Sequence, residues 1–79
     1  MKKDDLPILL YKTIAQMGGK GTLLEICKEF WKQYEDELRK SGDLFYTWQY
    51  DIRWAATTLR KIGKMADTNC CDKGVWEII

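Results

Sequence analysis

Apolar residues recur at helical spacing in three stretches of the chain, and this pattern predicts three helices. The first helix runs from Leu6 to Met17, because Pro7 suits a first helical turn and the "GGKG" after Met17 stops the helix. The second begins after Thr22, where "TLLE" has the form of a capping box, and ends near Lys40. Its apolar stripe is broad, and its other side mixes both signs of charge, which is typical of a solvated face.

The third helix follows an apolar "LFY" connection, with Thr47 as its cap and Gly63 as its stop after Ile62. Beyond it, "KMADT" and "GVWEII" flank "NCCDKG", which predicts a two-stranded hairpin with Gly74 at the end of its turn. The predicted fold class is therefore mainly α with a small β-hairpin (α+β), in a single domain over 1–79. Three helices followed by a two-stranded wing is the order of a winged helix-turn-helix, and other small helical domains with a terminal hairpin share this order.

The third helix separates its basic residues from its apolar residues around its axis. At about 100° per residue, the core stripe consists of Trp48, Ile52, Ala55, Ala56, Leu59 and Ile62. The opposite side carries rings, a hydroxyl-bearing Thr and basic residues but no acid: Tyr50, Arg53, Trp54, Thr57, Lys61 and Lys64, with Gln49 and Arg60 at its edge. Arg forks onto phosphate or guanine, and Gln and Thr reach base edges or phosphates. This is the chemistry of a helix in the major groove of double-stranded DNA.

A charged helix face is often simply solvated, so the basic side of the third helix has a second interpretation. Two features favour binding: basic residues on the other helices are matched by acids, and a solvated face rarely includes Trp. Trp54 itself has two readings, because it can contact a ligand or pack on the wing or on the second helix.

Three segments of the chain resemble the N-terminal domain of Mrr-type restriction endonucleases: "RWA" at 53–55, "LRKIG" at 59–63 and "KGVWEI" at 73–78. The match covers roughly the last third of the chain, and the first two helices match in order, length and apolar pattern. The resemblance implies a winged helix that binds DNA and recruits a separate nuclease domain. It places Arg53, Thr57, Arg60 and Lys61 on the recognition helix and Lys73 at the wing tip. The chain departs from the family at Lys64, where an apolar residue is usual, and at "TNCC".

Catalytic motifs are missing from the sequence. The chain has no histidine, which excludes Ser/His and Cys/His pairs. A restriction nuclease site needs an Asp and then a second acid two positions before a Lys. No Asp or Glu in this chain has a Lys two positions after it. We therefore expect a binding module rather than an enzyme, in restriction-modification or transcription regulation. The chain ends at Ile79, where the nuclease part would follow, and stopping inside the last strand hints at a piece of a longer protein.

The cysteines do not form a recognisable metal or disulfide framework. Cys70 and Cys71 are adjacent, which lacks the usual zinc-ligand gap, although Cys27, Asp67 and Asp72 are available as further ligands. An odd number of cysteines also argues against a secreted disulfide scaffold. With no signal peptide and no long apolar run, we expect a cytoplasmic protein without membrane contact, metal or cofactor.

The low net charge and the many rings favour an alternative function. The formal net charge is +1 and aromatic residues make up 13% of the chain. A small domain cannot easily bury every ring, so leftover rings indicate a protein–protein interaction or dimerisation module on the same fold. The candidate rings are Trp31, Tyr34, Phe45, Tyr46 and Trp48. Useful DNA affinity would likewise need a homodimer or a tethered nuclease or regulatory domain.

Overall fold

The computed structural model describes residues 1–67 and 74–79, so the predicted hairpin turn with Cys70, Cys71 and Lys73 lies outside the described residues. Within these ranges the chain is mainly helical with one small antiparallel sheet, which is the predicted α+β class. A short 3₁₀ helix, Lys3–Asp5, precedes the first α-helix. The other elements are α1 (Leu6–Gln16), β1 (Lys20–Thr22), α2 (Leu23–Arg39), α3 (Leu44–Lys61) and β2 (Val75–Glu77).

Helix α2 begins where the capping box predicts. Glu25 N–H donates to Thr22 Oγ1 at 3.2 Å, and Thr22 N–H donates to Glu25 Oε1 at 2.9 Å. These bonds satisfy two N–H groups that the start of a helix leaves without partners. Hydrogen bonds to Thr22 hold the pKa of the Glu25 carboxyl below its usual value. The bond to the Thr22 backbone has the larger effect, and the bond to the Thr22 side chain has the smaller one. Two local side chains therefore fix the start of α2 next to β1.

The sheet joins two strands that lie on either side of α2 and α3 in the sequence. Strands β1 and β2 pair antiparallel, with Lys20 opposite Glu77. The sequence predicted instead a hairpin between "KMADT" and "GVWEII". In the described residues, the first of these segments contributes a bridge between Met65 and Ile78 and two backbone hydrogen bonds. Ala66 N–H donates to Glu77 O at 2.8 Å, and Ile79 N–H donates to Lys64 O at 3.1 Å. The prediction missed β1 because "KGT" has no strand pattern of its own and depends on a distant partner.

Helix α3 begins earlier than predicted, because burial rather than a local cap sets its start. Its first residue is Leu44, so the predicted "LFY" connection is its first turn. Leu44 is buried, and the Phe45 ring meets Trp31 edge-on with centroids 6.2 Å apart. Thr47, the predicted cap, lies inside the helix and donates from Oγ1 to Asp51 Oδ2 at 2.7 Å.

The main core lies between α1 and α3 and is closed by α2. The predicted stripe of α3 is buried at Trp48, Ile52, Ala55, Ala56 and Leu59. The remaining member, Ile62, is 62% exposed, because α3 ends at Lys61 and Gly63 then turns the backbone with φ 79°. Ala55 and Ala56 are fully buried, and their small side chains leave room for a neighbouring helix to approach closely.

Aromatic rings hold α2 to α3. Trp48 of α3 stacks on Phe30, with centroids 5.7 Å apart and ring planes 19° apart. It also stacks on Trp31, at 5.8 Å and 13°. Each such pair contributes about 0.5–1.5 kcal/mol beyond the area it buries. Of the five rings predicted to be surplus, Trp48 is buried, while Tyr46 is almost fully exposed.

The capping box gives a stability prediction. We expect Thr22→Ala to lower the free energy of unfolding by about 1 kcal/mol, because the substitution leaves the Glu25 N–H of the first turn without its acceptor. Urea unfolding followed by circular dichroism measures the change. The matched control is Thr57→Ala in the last third of α3. It removes an exposed hydroxyl that bonds to Arg53 O of the preceding turn, and it should not lower stability, because Ala has the higher helix propensity. Equal losses for both variants would contradict the role assigned to Thr22.

Candidate nucleic-acid interface

Six of the eight predicted site residues form one exposed surface on and just beyond α3. Tyr50 is 79% exposed, and the other five are also exposed. We call this surface the basic face; it consists of Gln49, Tyr50, Arg53, Thr57, Lys61 and Lys64. The helical period places the first five on one side of α3. Lys64 follows the Gly63 turn, where its N–H bonds Leu59 O at 2.8 Å and so keeps it beside the helix end.

The cations of the basic face are not neutralised by neighbouring acids. In the described ranges, the ion pairs are Lys3 with Asp51 and Arg39 with Glu35. Arg53, Lys61 and Lys64 make no ion pair with any acid of residues 1–67 and 74–79. Their charges are therefore available to an anionic ligand.

Arg60, a seventh predicted site residue, has a different environment. Its guanidinium carbon lies 5.6 Å from the centroid of the Trp76 ring on β2, and the side chain is partly buried. Its Nε atom is buried and has no hydrogen-bond partner among the described residues. A guanidinium over an indole face is a favourable cation–π contact. Arg60 therefore holds β2 against α3, and it is less accessible than the residues of the basic face.

Among the described residues, the ring of Trp54 makes no aromatic or cation–π contact with α2 or with β2. It is 39% exposed, and Lys3 Nζ of the N-terminal 3₁₀ helix lies 4.8 Å from its ring centroid. The same Lys3 Nζ lies 3.9 Å from Asp51 Oδ1, one turn earlier on α3. Lys3 thus covers the side of α3 next to the basic face, and Asp51 is directed towards it rather than towards the basic face.

A surface groove between α2 and α3 lies directly beside the basic face and has a volume of about 970 Å³. We call it the α2–α3 groove. Gln49, Tyr50 and Arg53 line one side of it. The opposite side is formed by residues of α2: Leu23, Leu24, Cys27, Lys28 and Trp31. Sequence reasoning placed Lys28 on a solvated face and did not single out Leu24. The available signal was Leu24 itself, a large apolar residue outside the predicted stripe and one turn before Lys28.

Burial and the positive charge of Arg53 both affect the pKa of the Cys27 thiol, which lies in this groove. Burial raises the pKa of the Cys27 thiol, and the positive charge of Arg53 offsets part of that rise. The charge of Arg53 therefore acts inside the groove as well as on the exposed surface.

The remaining predicted site features lie outside the described residues. Lys73, the predicted wing-tip contact, belongs to the segment 68–73, as do Cys70 and Cys71. Among the residues that the structure describes, no group of three His, Cys, Asp or Glu side chains could hold a metal ion.

The proximity of Arg53 to Cys27 gives a second prediction. We expect Arg53→Gln to move alkylation of Cys27 by iodoacetamide to higher pH, since the thiolate reacts and its stabilising cation is lost. Mass mapping of the Cys27 peptide after reaction at a series of pH values separates it from Cys70 and Cys71. Lys12→Gln on α1 is the control and should leave the profile unchanged. An unchanged profile for both variants would contradict the electrostatic effect of Arg53 on the Cys27 thiol.

No protein-family model, curated protein or solved structure matches this chain. In the part of the chain that the structure describes, no helix combines the length and apolar character needed to cross a membrane. The basic face and the α2–α3 groove are therefore the features of this chain that bear on its function.

Proposed function

We propose that this chain is a winged-helix module that binds double-stranded DNA, with α3 in the major groove and the β2 region on the backbone. The observation that carries the proposal is the basic face: exposed, cationic and without acids along one side of α3. The module acts by binding and performs no chemistry of its own. A nuclease or regulatory domain joined to it would supply any further activity, as the resemblance to Mrr-type enzymes implies.

The strand arrangement supports the winged-helix assignment. β1 lies between α1 and α2, as the first strand of a winged helix does, and pairs with β2 after α3. Ile78, directly after β2, also forms an antiparallel bridge with Met65, which lies just after α3. Arg60 packed on Trp76 ties this unit to α3.

The side chains of the basic face divide into two proposed roles. Gln49 and Arg53, near the middle of α3, reach base edges, and Arg53 can also fork onto a phosphate. Thr57 and Tyr50 add hydroxyls. Lys61 and Lys64, near the end of α3, supply point charges for phosphates. Their positions at a helix C-terminus also complement the helix dipole.

Binding through these residues would be weak at physiological salt. If Arg53, Lys61 and Lys64 each neutralise one phosphate, log K falls with log salt with a slope of about −2.7. Raising the salt concentration from roughly 50 to 200 mM then costs on the order of 40-fold in affinity. A homodimer or a tether to a second DNA-binding domain would restore useful affinity through effective concentration.

Fluorescence anisotropy on labelled duplex DNA at low salt tests the proposal. We expect saturable binding that weakens with salt, and a salt slope reduced in magnitude by about 1 in both Arg53→Ala and Lys61→Ala. Both side chains are exposed and make no ion pair with a described acid, so neither substitution should unfold the chain.

Lys12→Ala is the matched control, because it removes an exposed cation from α1 while leaving α3 intact. Its affinity and salt slope should equal those of the unchanged chain. Absence of binding at high protein concentration would refute the proposal, and so would equal effects of all three substitutions.

A further inference from the structure

The α2–α3 groove is an apolar surface that the fold leaves open. Trp31, Phe45 and Trp48 contribute rings to it, and Leu24 on the α2 side is 64% exposed. Tyr50, on the α3 side of the groove, is also largely exposed. Each square ångström of such surface removed from water contributes about 25 cal/mol, which gives an apolar ligand a driving force to bind here.

The length of the groove matches two turns of helix. On α2 its lining runs from Leu23 to Trp31, and on α3 from Phe45 to Arg53. At 1.5 Å per residue, each side is about 12 Å long. A helix that lies in such a groove uses apolar anchors at positions i, i+3 or i+4, and i+7, which span about the same length.

The charge of the groove selects the kind of helix. Lys28 on α2 and Arg53 on α3 flank it, both exposed and without an ion pair to any acid in the described ranges. None of the lining residues is acidic. Acidic side chains next to the apolar anchors of a ligand would therefore meet unpaired cations on both sides, whereas basic ones would be repelled.

The same charges argue against a second copy of this chain. A two-fold dimer formed groove to groove would place Lys28 and Arg53 of one copy near the same residues of the other. Duplex DNA fits the cationic edge but offers no apolar surface to cover Leu24, Trp31 and Phe45. We propose that the α2–α3 groove binds an acidic amphipathic helix of a partner protein.

The test begins with a phage-displayed library of random peptides selected against the purified full chain. We expect the enriched peptides to be net negative, with apolar residues at i, i+3 or i+4, and i+7. An enriched peptide, synthesised with a fluorescein label, is then titrated in an anisotropy assay. Leu24→Asp and Lys28→Glu should each weaken binding on the order of tenfold, because they add an acid to the groove.

Matched controls lie on α1. Ile8→Asp replaces an apolar residue with 61% exposure, close to that of Leu24, and Lys12→Glu reverses an exposed cation as Lys28→Glu does. Both should leave peptide affinity within about twofold, a difference of roughly 0.4 kcal/mol. Circular dichroism of all four variants shows whether the fold is kept.

Lys61→Ala separates this proposal from DNA binding. Lys61 lies on the basic face but does not line the groove, so its loss should weaken DNA binding and leave peptide binding unchanged. The absence of any enriched peptide would overturn the proposal, as would enriched peptides that are basic or insensitive to Leu24→Asp. A dimer in sedimentation that Leu24→Asp dissociates would assign the groove to a second copy instead. A loss of DNA binding in Leu24→Asp without any enriched peptide would assign it to nucleic acid.

Discussion

The stacking of Trp48 on Phe30 and Trp31 determines how α3 lies against α2, and both candidate surfaces depend on that arrangement. With Trp48 turned inward, the helical period directs Arg53 and Thr57 outward. The same ring lines the α2–α3 groove, so its packing also sets the width of that groove. In a chain of 79 residues, a few large rings supply much of the buried apolar area that holds the fold together.

Local signals in the sequence predicted the three helices and the strand β2, but not β1 or the start of α3. The capping box at Thr22 and the glycine stop at Gly63 act within a few residues, and both mark real helix ends. The start of α3 depends instead on burial of Leu44 and on contact of Phe45 with α2. β1 depends on pairing with β2, a partner that no local pattern can identify. β1 and the first turn of α3 depend on tertiary contacts, and these were the parts of the secondary structure that local patterns did not predict.

The same distinction applies to the candidate site. Helical periodicity alone was enough to predict which residues of α3 are exposed. Arg60 and Trp54 have environments made by Trp76 and Lys3, which are distant from them in the sequence, and neither contact was predicted. The groove requires two helices to be placed side by side before Leu24 becomes part of a surface. The result is a basic face and an apolar groove that share Gln49, Tyr50 and Arg53, so their ligands would compete for the same side chains.

The pairing of β1 with β2 has a consequence for the order of folding. Helices α2 and α3 both lie between the two strands in the sequence, so forming the sheet closes a loop that contains most of the core. Loop closure is entropically costly until the intervening chain is compact, which makes such non-local pairing slow. The helical core is therefore expected to assemble first and the sheet to join it last. In the native ensemble, the sheet could detach by local unfolding while the helices stay packed. The contact of Arg60 with Trp76 opposes this local unfolding.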